Sequence, residues 1–267
     1  MNTRTRLMLT INSFLLMFAA YLFLHLITTA ITALGAKELF DVPSDISRWG
    51  LRFTIPDSSK LWTHSSVIGI YIISPIIFVI AIIISVRVFY PNRFKLRTPF
   101  KLFMVWLYVH AFNQLVGGLG LGVIIKKGAG YVPRWMGVSE PLIYGFSIAG
   151  LILLLINGLI VNDFFSAYAQ KEEQLIKVKD QVSFKTFFVV LPVIIFIAGS
   201  LATGFPDWNL YTIGLHLTLL LPLPGIVFYH ECLCEVNEIP DRWNRLFIGL
   251  IIAIGVVMTG LSIISVV

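Results

Sequence analysis

The distribution of charged residues is the feature of this sequence that most constrains its fold. Seven stretches of 21 to 30 residues contain no Asp, Glu, Lys or Arg: 7–36, 61–86, 102–125, 141–162, 186–206, 208–230 and 246–267. A helix of about 20 apolar residues spans the hydrocarbon core of a membrane. Surface helices of soluble proteins instead carry charged residues on one face at helical period. The sequence therefore predicts that lipid surrounds these stretches.

Helices explain the uncharged stretches better than membrane β-strands do. The stretches are continuous apolar runs, whereas strands of a membrane barrel alternate apolar and polar residues over about ten positions. In lipid, a helix satisfies the hydrogen bonds of its own backbone. We therefore predict an all-α fold, a polytopic transmembrane helix bundle of about seven spans that forms one integral membrane domain, 1–267.

The predicted domain can be divided into spans and connections. The spans are expected at 7–35, 62–87, 102–125, 140–164, 186–204, 209–230 and 246–266. An outer loop is expected at 36–61, with a short interfacial helix over Ser44–Phe53, where apolar and charged residues are mixed. The helix formers of 166–185 predict a cytoplasmic helical extension of span 4.

Basic residues predict the orientation of the chain. The N-terminal segment and the even-numbered connections hold 13 of the 20 Lys and Arg residues, and the odd-numbered connections hold 7. Because basic segments stay cytoplasmic during insertion, the N-terminus is expected inside and the C-terminus outside. The absence of an Asn-x-Ser/Thr sequon favours a bacterial cytoplasmic membrane. Membrane lipids are the expected partners, and no basic patch interleaved with aromatic residues indicates nucleic acid.

Polar residues within the spans predict a buried polar site. Span 3 places His110, Asn113 and Gln114 on one helical face, and span 1 places His25 and Thr29 on another. Such faces either line a cavity in the outer half of the bundle or hydrogen-bond across packed helices. The candidate cavity residues are His25, Thr29, His110, Asn113, Gln114, Asn157 and His216.

The inner end of span 6 carries a possible metal site. His230, Glu231 and Cys234 are similar in spacing to the His-Glu-x-x-His helix of zinc proteases, with cysteine in place of the second histidine. Asp163, at the inner end of span 4, is expected at the same depth and is a third candidate ligand. Zinc is therefore possible, with Glu231 as the candidate catalytic base acting on a bound water. The alternative is a helix end that carries ordinary polar residues into water.

Haem is disfavoured as a cofactor. His216 and His230 are 14 residues apart, about 21 Å along a helix, and His25 could supply a second ligand to an outer haem. Pro222 and Pro224 lie between the two histidines and are expected to kink the helix. The inner haem would also lack an evident second ligand.

Three functions are compatible with these features. The first is a polar intramembrane cavity that binds or moves a small neutral or lipid-like molecule. The second is an accessory or scaffold subunit whose polar faces dock partner membrane subunits. The third is a membrane-embedded metal-dependent hydrolase that uses the His230–Cys234 segment. The sequence does not decide whether the protein is an enzyme. No charged residue lies in the middle of a span, which disfavours ion-driven transport.

The predicted orientation can be tested with reporter fusions. Fusions after Lys95 and Lys179 should report a cytoplasmic location, and a fusion after Arg52 should report an external one, because basic connections stay inside. The opposite result at any two of these positions would contradict the seven-span arrangement.

Overall fold

The computed structural model describes residues 3–47, 50–90, 99–166, 168, 178–204 and 209–229. In this part of the chain, six helices are long and apolar enough to cross a membrane: Arg6–Phe40, His64–Phe89, Pro99–Ile125, Glu140–Ser166, Val178–Thr203 and Leu210–Phe228. They coincide with the first six predicted spans and are numbered 1 to 6 here. The prediction of a helical fold with several helices long and apolar enough to cross a membrane is therefore confirmed. The predicted span at 246–266 lies outside the described residues.

Three of the six spans are uninterrupted helices: Thr3–Phe40, His64–Phe89 and Glu140–Ser166. Span 3 consists of the helix Pro99–Phe112, a π-helical turn Asn113–Gly117 and the helix Gly118–Ile125. Span 5 consists of the helix Val178–Lys185, a π-helical turn Thr186–Val190 and the helix Leu191–Thr203. Span 6 consists of the helix Leu210–Leu217, a 3-10 turn Thr218–Leu220 and the helix Leu223–Phe228. Between spans 3 and 4 lie a 3-10 turn, Gly128–Gly130, and a short helix, Tyr131–Trp135.

Proline accounts for the interruption in span 6. Pro222 has no backbone N–H, and its ring conflicts with the carbonyl four residues earlier, at Thr218. The 3-10 turn begins at that residue, and a new helix starts after Pro222. In span 5 a proline, Pro192, is the second residue of the helix that follows the π-helical turn. The π-helical turn of span 3 contains no proline that could cause it. Hydrogen bonds to side chains and backbone groups of neighbouring spans are therefore the candidates for stabilising it.

The predicted interfacial helix at Ser44–Phe53 is wrong. The segment forms two antiparallel strands, β1 (Ser44–Ser47) and β2 (Gly50–Phe53). Asp45 pairs with Arg52 and Ile46 with Leu51. An opposite-charge pair and an apolar pair facing each other stabilise a hairpin, whereas an isolated ten-residue helix is marginal. Gly50 enters β2 with a φ of 147°, a conformation that side chains with a Cβ rarely adopt.

Two other expected boundaries also need correction. Span 1 continues as a helix to Phe40, five residues beyond its predicted end, because the Phe40 ring packs against span 2 at Gly69. The predicted extension of span 4 over 166–185 does not match the described part of that segment. The span 4 helix is described as far as Ser166, and Val178–Lys185 is the first helical segment of span 5.

Spans 4 and 6 approach each other through glycine. A Cβ added to Gly158 would lie 2.1 Å from the carbonyl oxygen of Pro222, and a Cβ added to Gly225 would lie 2.8 Å from the backbone nitrogen of Leu159. Both distances are too short for a carbon atom, so the two backbones are in direct contact. Small residues permit this kind of close helix packing in membranes. Spans 4 and 6 are therefore neighbours at this depth.

This contact predicts different effects for two glycine substitutions in span 4. Gly158→Ala should lower the free energy of unfolding by about 2 kcal/mol, because the added methyl group must push the Pro222 backbone away. Gly145→Ala is the matched control, since a Cβ there meets no atom within 4 Å among the described residues. The control should change the free energy by less than about 1 kcal/mol. Reversible unfolding in detergent would measure both variants, and equal destabilisation would contradict the packing described.

Candidate functional site

Five aromatic rings from four spans form a cluster around Tyr21. The centroid of the Tyr21 ring lies 5.4 Å from that of His110 on span 3, 5.6 Å from His216 on span 6 and 4.9 Å from Phe196 on span 5. His25, one turn along span 1, stacks on the same ring at 6.0 Å. We call these five residues the Tyr21 cluster. It brings together three of the candidate cavity residues, one from each of spans 1, 3 and 6.

Helical spacing explains how span 1 contributes to the cluster. Ser13, Met17, Tyr21 and His25 recur every four residues and therefore lie along one face of the helix. Trp106 of span 3 donates from Nε1 to the Ser13 hydroxyl at 3.1 Å, which fixes the two spans against each other. His110 follows Trp106 by one turn, so its ring reaches the level of Tyr21.

The centre of the cluster is closed to solvent. Tyr21, His110 and His216 are exposed by only 3%, 1% and 2%. His25 is half-buried, and its Cε1 atom lies 4.0 Å from the position of a Cβ on Gly50, so the hairpin lies beside this ring. The three histidines belong to stretches that contain no charged residue. Neutral imidazole rings are therefore the expected state in this environment.

The two buried histidines have different hydrogen-bonding environments. Nε2 of His216 lies 3.3 Å from the hydroxyl oxygen of Tyr21. Nε2 of His110 is fully buried and has no hydrogen-bond partner among the described residues. An unsatisfied buried polar atom costs about 1–3 kcal/mol and is rare enough in folded proteins to require an explanation.

The interruptions in spans 3 and 6 meet just beside the cluster. Asn113, the first residue of the π-helical turn, donates from Nδ2 to the carbonyl oxygen of Leu215 at 3.0 Å. The single O–H of Thr218 is shared between two acceptors, with its oxygen 2.9 Å from Oδ1 of Asn113 and 2.8 Å from the Leu215 carbonyl oxygen. Each irregular segment thus uses the other as its hydrogen-bonding partner.

The remaining candidate cavity residues lie elsewhere or at the margin. Asn157 on span 4 accepts a hydrogen bond from the Tyr108 hydroxyl at 2.8 Å, which forms a separate buried pair on another side of span 3. Thr29 is buried one turn beyond His25, and Gln114 is half-buried within the π-helical turn. Five of the seven predicted residues therefore belong to the Tyr21 cluster, the Asn113–Thr218 contact or the Asn157–Tyr108 pair, and Thr29 and Gln114 belong to none of these.

Most of the predicted metal site lies outside the described residues. His230, Glu231 and Cys234 are not described, whereas Asp163 is half-buried at the end of span 4, with Nδ2 of Asn162 at 3.4 Å from its carboxylate. Within the described residues, no group of three or more His, Cys, Asp or Glu side chains could hold a metal ion. The zinc site and the base role of Glu231 remain predictions.

Three residues of the site, Tyr21, Phe196 and Thr218, were not among the candidates selected from the sequence. Phe196 gave no signal because it is one apolar residue within the apolar run of span 5. Thr218 lies two positions after His216. It could have been selected as a side chain able to hydrogen-bond to a backbone carbonyl group just before Pro222. Haem ligation was disfavoured from the sequence, and the two candidate ligands of the outer haem, His25 and His216, both pack against Tyr21.

The Asn113–Thr218 contact predicts a measurable coupling. Asn113→Leu and Thr218→Val should each lower the free energy of unfolding by about 1 kcal/mol, and the double variant should lose less than the sum by about 0.5–1.5 kcal/mol. Combining Asn113→Leu with Tyr108→Phe is the control, because Tyr108 bonds to Asn157. The control pair should be additive. A coupling of zero between Asn113 and Thr218 in detergent unfolding would disprove the contact.

Comparison with known proteins adds no further constraint on this site. No protein family model, no curated protein and no solved structure matches the chain.

Proposed function

We propose that the chain is a multi-pass protein of the bacterial cytoplasmic membrane that binds or moves a small neutral or lipid-like molecule at the Tyr21 cluster. The observation that carries the proposal is the fully buried, unpartnered Nε2 atom of His110. A buried polar atom without a hydrogen bond lowers the stability of the fold by about 1–3 kcal/mol. A bound molecule that hydrogen-bonds to Nε2 would remove this penalty.

The charge balance of the site supports a neutral ligand. The three histidines come from stretches without Asp, Glu, Lys or Arg, so no side chain of those stretches could neutralise a charged ligand. Moving an unpaired charge into a hydrocarbon environment is expensive. An uncharged molecule with one or two polar groups avoids that cost.

The interrupted spans also support a binding role. Membrane proteins often form binding sites where helices are discontinuous, and π-helical turns are frequent at functional sites. Here the π-helical turn of span 3 starts three residues after His110, and the 3-10 turn of span 6 starts two residues after His216. Both irregular segments thus adjoin the cluster.

The basic residues support the orientation included in the proposal. With the N-terminus inside, the hairpin and His25 are on the outer side of the bundle, and Tyr21 is at the middle of the uncharged stretch 7–36. The same orientation places Asp163 and Tyr229 at the inner side.

An accessory subunit is the second candidate function. Gly145 on span 4 and Gly199 on span 5 would each accept a Cβ with no atom of the described chain within 4 Å. Exposed small residues allow the close approach of a partner helix in lipid. In this alternative, membrane subunits cover these faces, and His110 serves packing alone.

Native mass spectrometry of the purified protein would test the ligand-binding role. We expect the wild-type protein, released from lipid nanodiscs, to retain a neutral molecule that His110→Leu loses. Asn157→Leu is the control, because it removes a buried polar side chain that bonds to Tyr108 instead. A protein that carries no such molecule, or one equally retained by His110→Leu, would contradict the proposal. Co-purification of a partner subunit instead would support the second candidate.

A further inference from the structure

Charge is unevenly distributed over the face of the protein on which span 1 begins. We infer that the half of this face formed by spans 1 to 3 binds the headgroups of anionic phospholipids in the inner leaflet. The inference rests on the orientation included in the proposed function. It adds a lipid partner at a second place, away from the Tyr21 cluster.

The sequence separates basic from acidic residues on this face. Because successive spans run in opposite directions, residues 1–6, 87–101, 163–185 and 231–245 are expected on the same face. The first two segments hold seven Lys and Arg residues and no Asp or Glu, whereas the last two hold six basic and eight acidic residues. These are counts over the sequence, since parts of the segments lie outside the described residues. The excess positive charge therefore belongs to the half formed by spans 1 to 3.

Membrane insertion explains the basic residues but not their separation from acidic ones. Orientation depends on the Lys and Arg residues close to the spans, and Asp and Glu contribute little to it. Acidic residues within 87–101 would therefore leave the orientation unchanged, yet this segment contains none. A surface with unbalanced positive charge attracts anions. A negatively charged partner therefore accounts for the separation.

The described residues show that this positive surface is accessible. Arg4, near the start of span 1, and Arg87, near the end of span 2, are exposed. Neither forms an ion pair within the described part of the chain. Spans 1, 2 and 3 pack against one another, and Leu9, Phe89 and Leu102, buried near these ends, belong to one core cluster. The two guanidinium groups are therefore carried on adjacent helices.

A third arginine is positioned by a contact with span 5. The guanidinium carbon of Arg6 lies 5.0 Å from the centroid of the Phe187 ring. The single O–H of Thr10 is shared between the carbonyl oxygens of Arg6 at 3.0 Å and of Phe187 at 2.8 Å, which holds span 1 against span 5. A cation–π contact restricts a guanidinium group without neutralising its charge. Arg6 therefore adds a positioned positive charge to the same end of span 1.

The depth of these charges favours a lipid over a soluble partner. Arg6 directly precedes the uncharged stretch 7–36, and Arg87 directly follows the stretch 61–86, so both lie at the edge of the apolar core. Tyr90, three residues after Arg87, is 57% exposed, and tyrosine is enriched at the level of the headgroups. Basic clusters at this level attract anionic lipids of the cytoplasmic leaflet.

Titration of the full-length protein with two lipids would test the inference. Native mass spectrometry in a neutral detergent would give the dissociation constants of dioleoyl phosphatidylglycerol and dioleoyl phosphatidylcholine, which share their acyl chains but differ in net charge. We expect phosphatidylglycerol to bind at least about fivefold more tightly, because one basic residue near an anionic lipid surface contributes about this factor.

Single substitutions would locate the binding surface. Arg87→Gln and Arg4→Gln, on different spans, should each weaken phosphatidylglycerol binding about fivefold, so the misfolding of one variant would not decide the result. Arg87→Lys keeps the charge and should retain most of the affinity. Lys179→Gln is the matched control, because it removes an exposed charge from the other half of the same face. The control should change the affinity by less than about twofold.

Three results would overturn the inference. The first is equal affinity of the wild-type protein for the two lipids, and the second is an equal loss of affinity in Arg87→Gln and Lys179→Gln. The third is binding of soluble glycerophosphoglycerol as tight as that of the lipid, which would indicate an anion site that needs no membrane. Equal lipid affinities together with an acidic protein that co-purifies with the wild type but not with Arg87→Gln would assign the surface to that protein instead.

The same measurements distinguish this inference from the proposed function. His110→Leu should keep the preference for phosphatidylglycerol, because His110 lies in the Tyr21 cluster. If the wild-type protein retains a neutral molecule that His110→Leu loses but binds both lipids equally, the proposed function stands and the lipid inference fails. If phosphatidylglycerol is preferred and no neutral molecule is retained, the lipid inference stands and the proposed function fails.

Discussion

Hydrogen bonding of the backbone in lipid is the constraint on which the structure depends. Water cannot satisfy a free carbonyl group in the membrane, so each break in a span needs a protein partner. The 3-10 turn that precedes Pro222 meets this need through the Thr218 hydroxyl and the Asn113 amide, which both bond to the Leu215 carbonyl. The π-helical turn that starts at Asn113 places this amide beside span 6. The two irregular segments thus stabilise each other and position His110 and His216 around Tyr21.

The sequence predicted the six described spans well and the described connections poorly, for one physical reason. A charged residue in lipid costs several kcal/mol, so stretches without charge reveal the spans regardless of their neighbours. Connections lie in water, where local pairing decides between helix and strand. The pairing of Asp45 with Arg52 and of Ile46 with Leu51 formed a hairpin where mixed composition had suggested a helix. The segment Val178–Lys185 likewise belongs to span 5. Its helix-forming residues predict a helix but do not show whether that helix extends span 4 or begins span 5.

The candidate site was predicted in part because polar residues are conspicuous in apolar spans. His25, His110 and His216 could be selected by this criterion, and the structure brings all three to Tyr21. The same criterion selected Asn157, which pairs with Tyr108 instead, because the sequence does not show which helix faces meet. Phe196 could not be selected at all, since an aromatic residue in an apolar run has no distinguishing feature.

The length of span 1 has a mechanical consequence for the cluster. Its uncharged stretch of 30 residues is about 45 Å long as a helix, whereas the hydrocarbon core is about 30 Å thick. Such a helix tilts or thickens the bilayer around it, and the energy of this mismatch depends on the length of the acyl chains. Tyr21 and His25 are carried on this helix, whereas His110 and His216 are carried on spans with shorter uncharged stretches. We therefore expect bilayer thickness to affect the tilt of the helix that carries Tyr21 and His25 more than the tilt of spans 3 and 6.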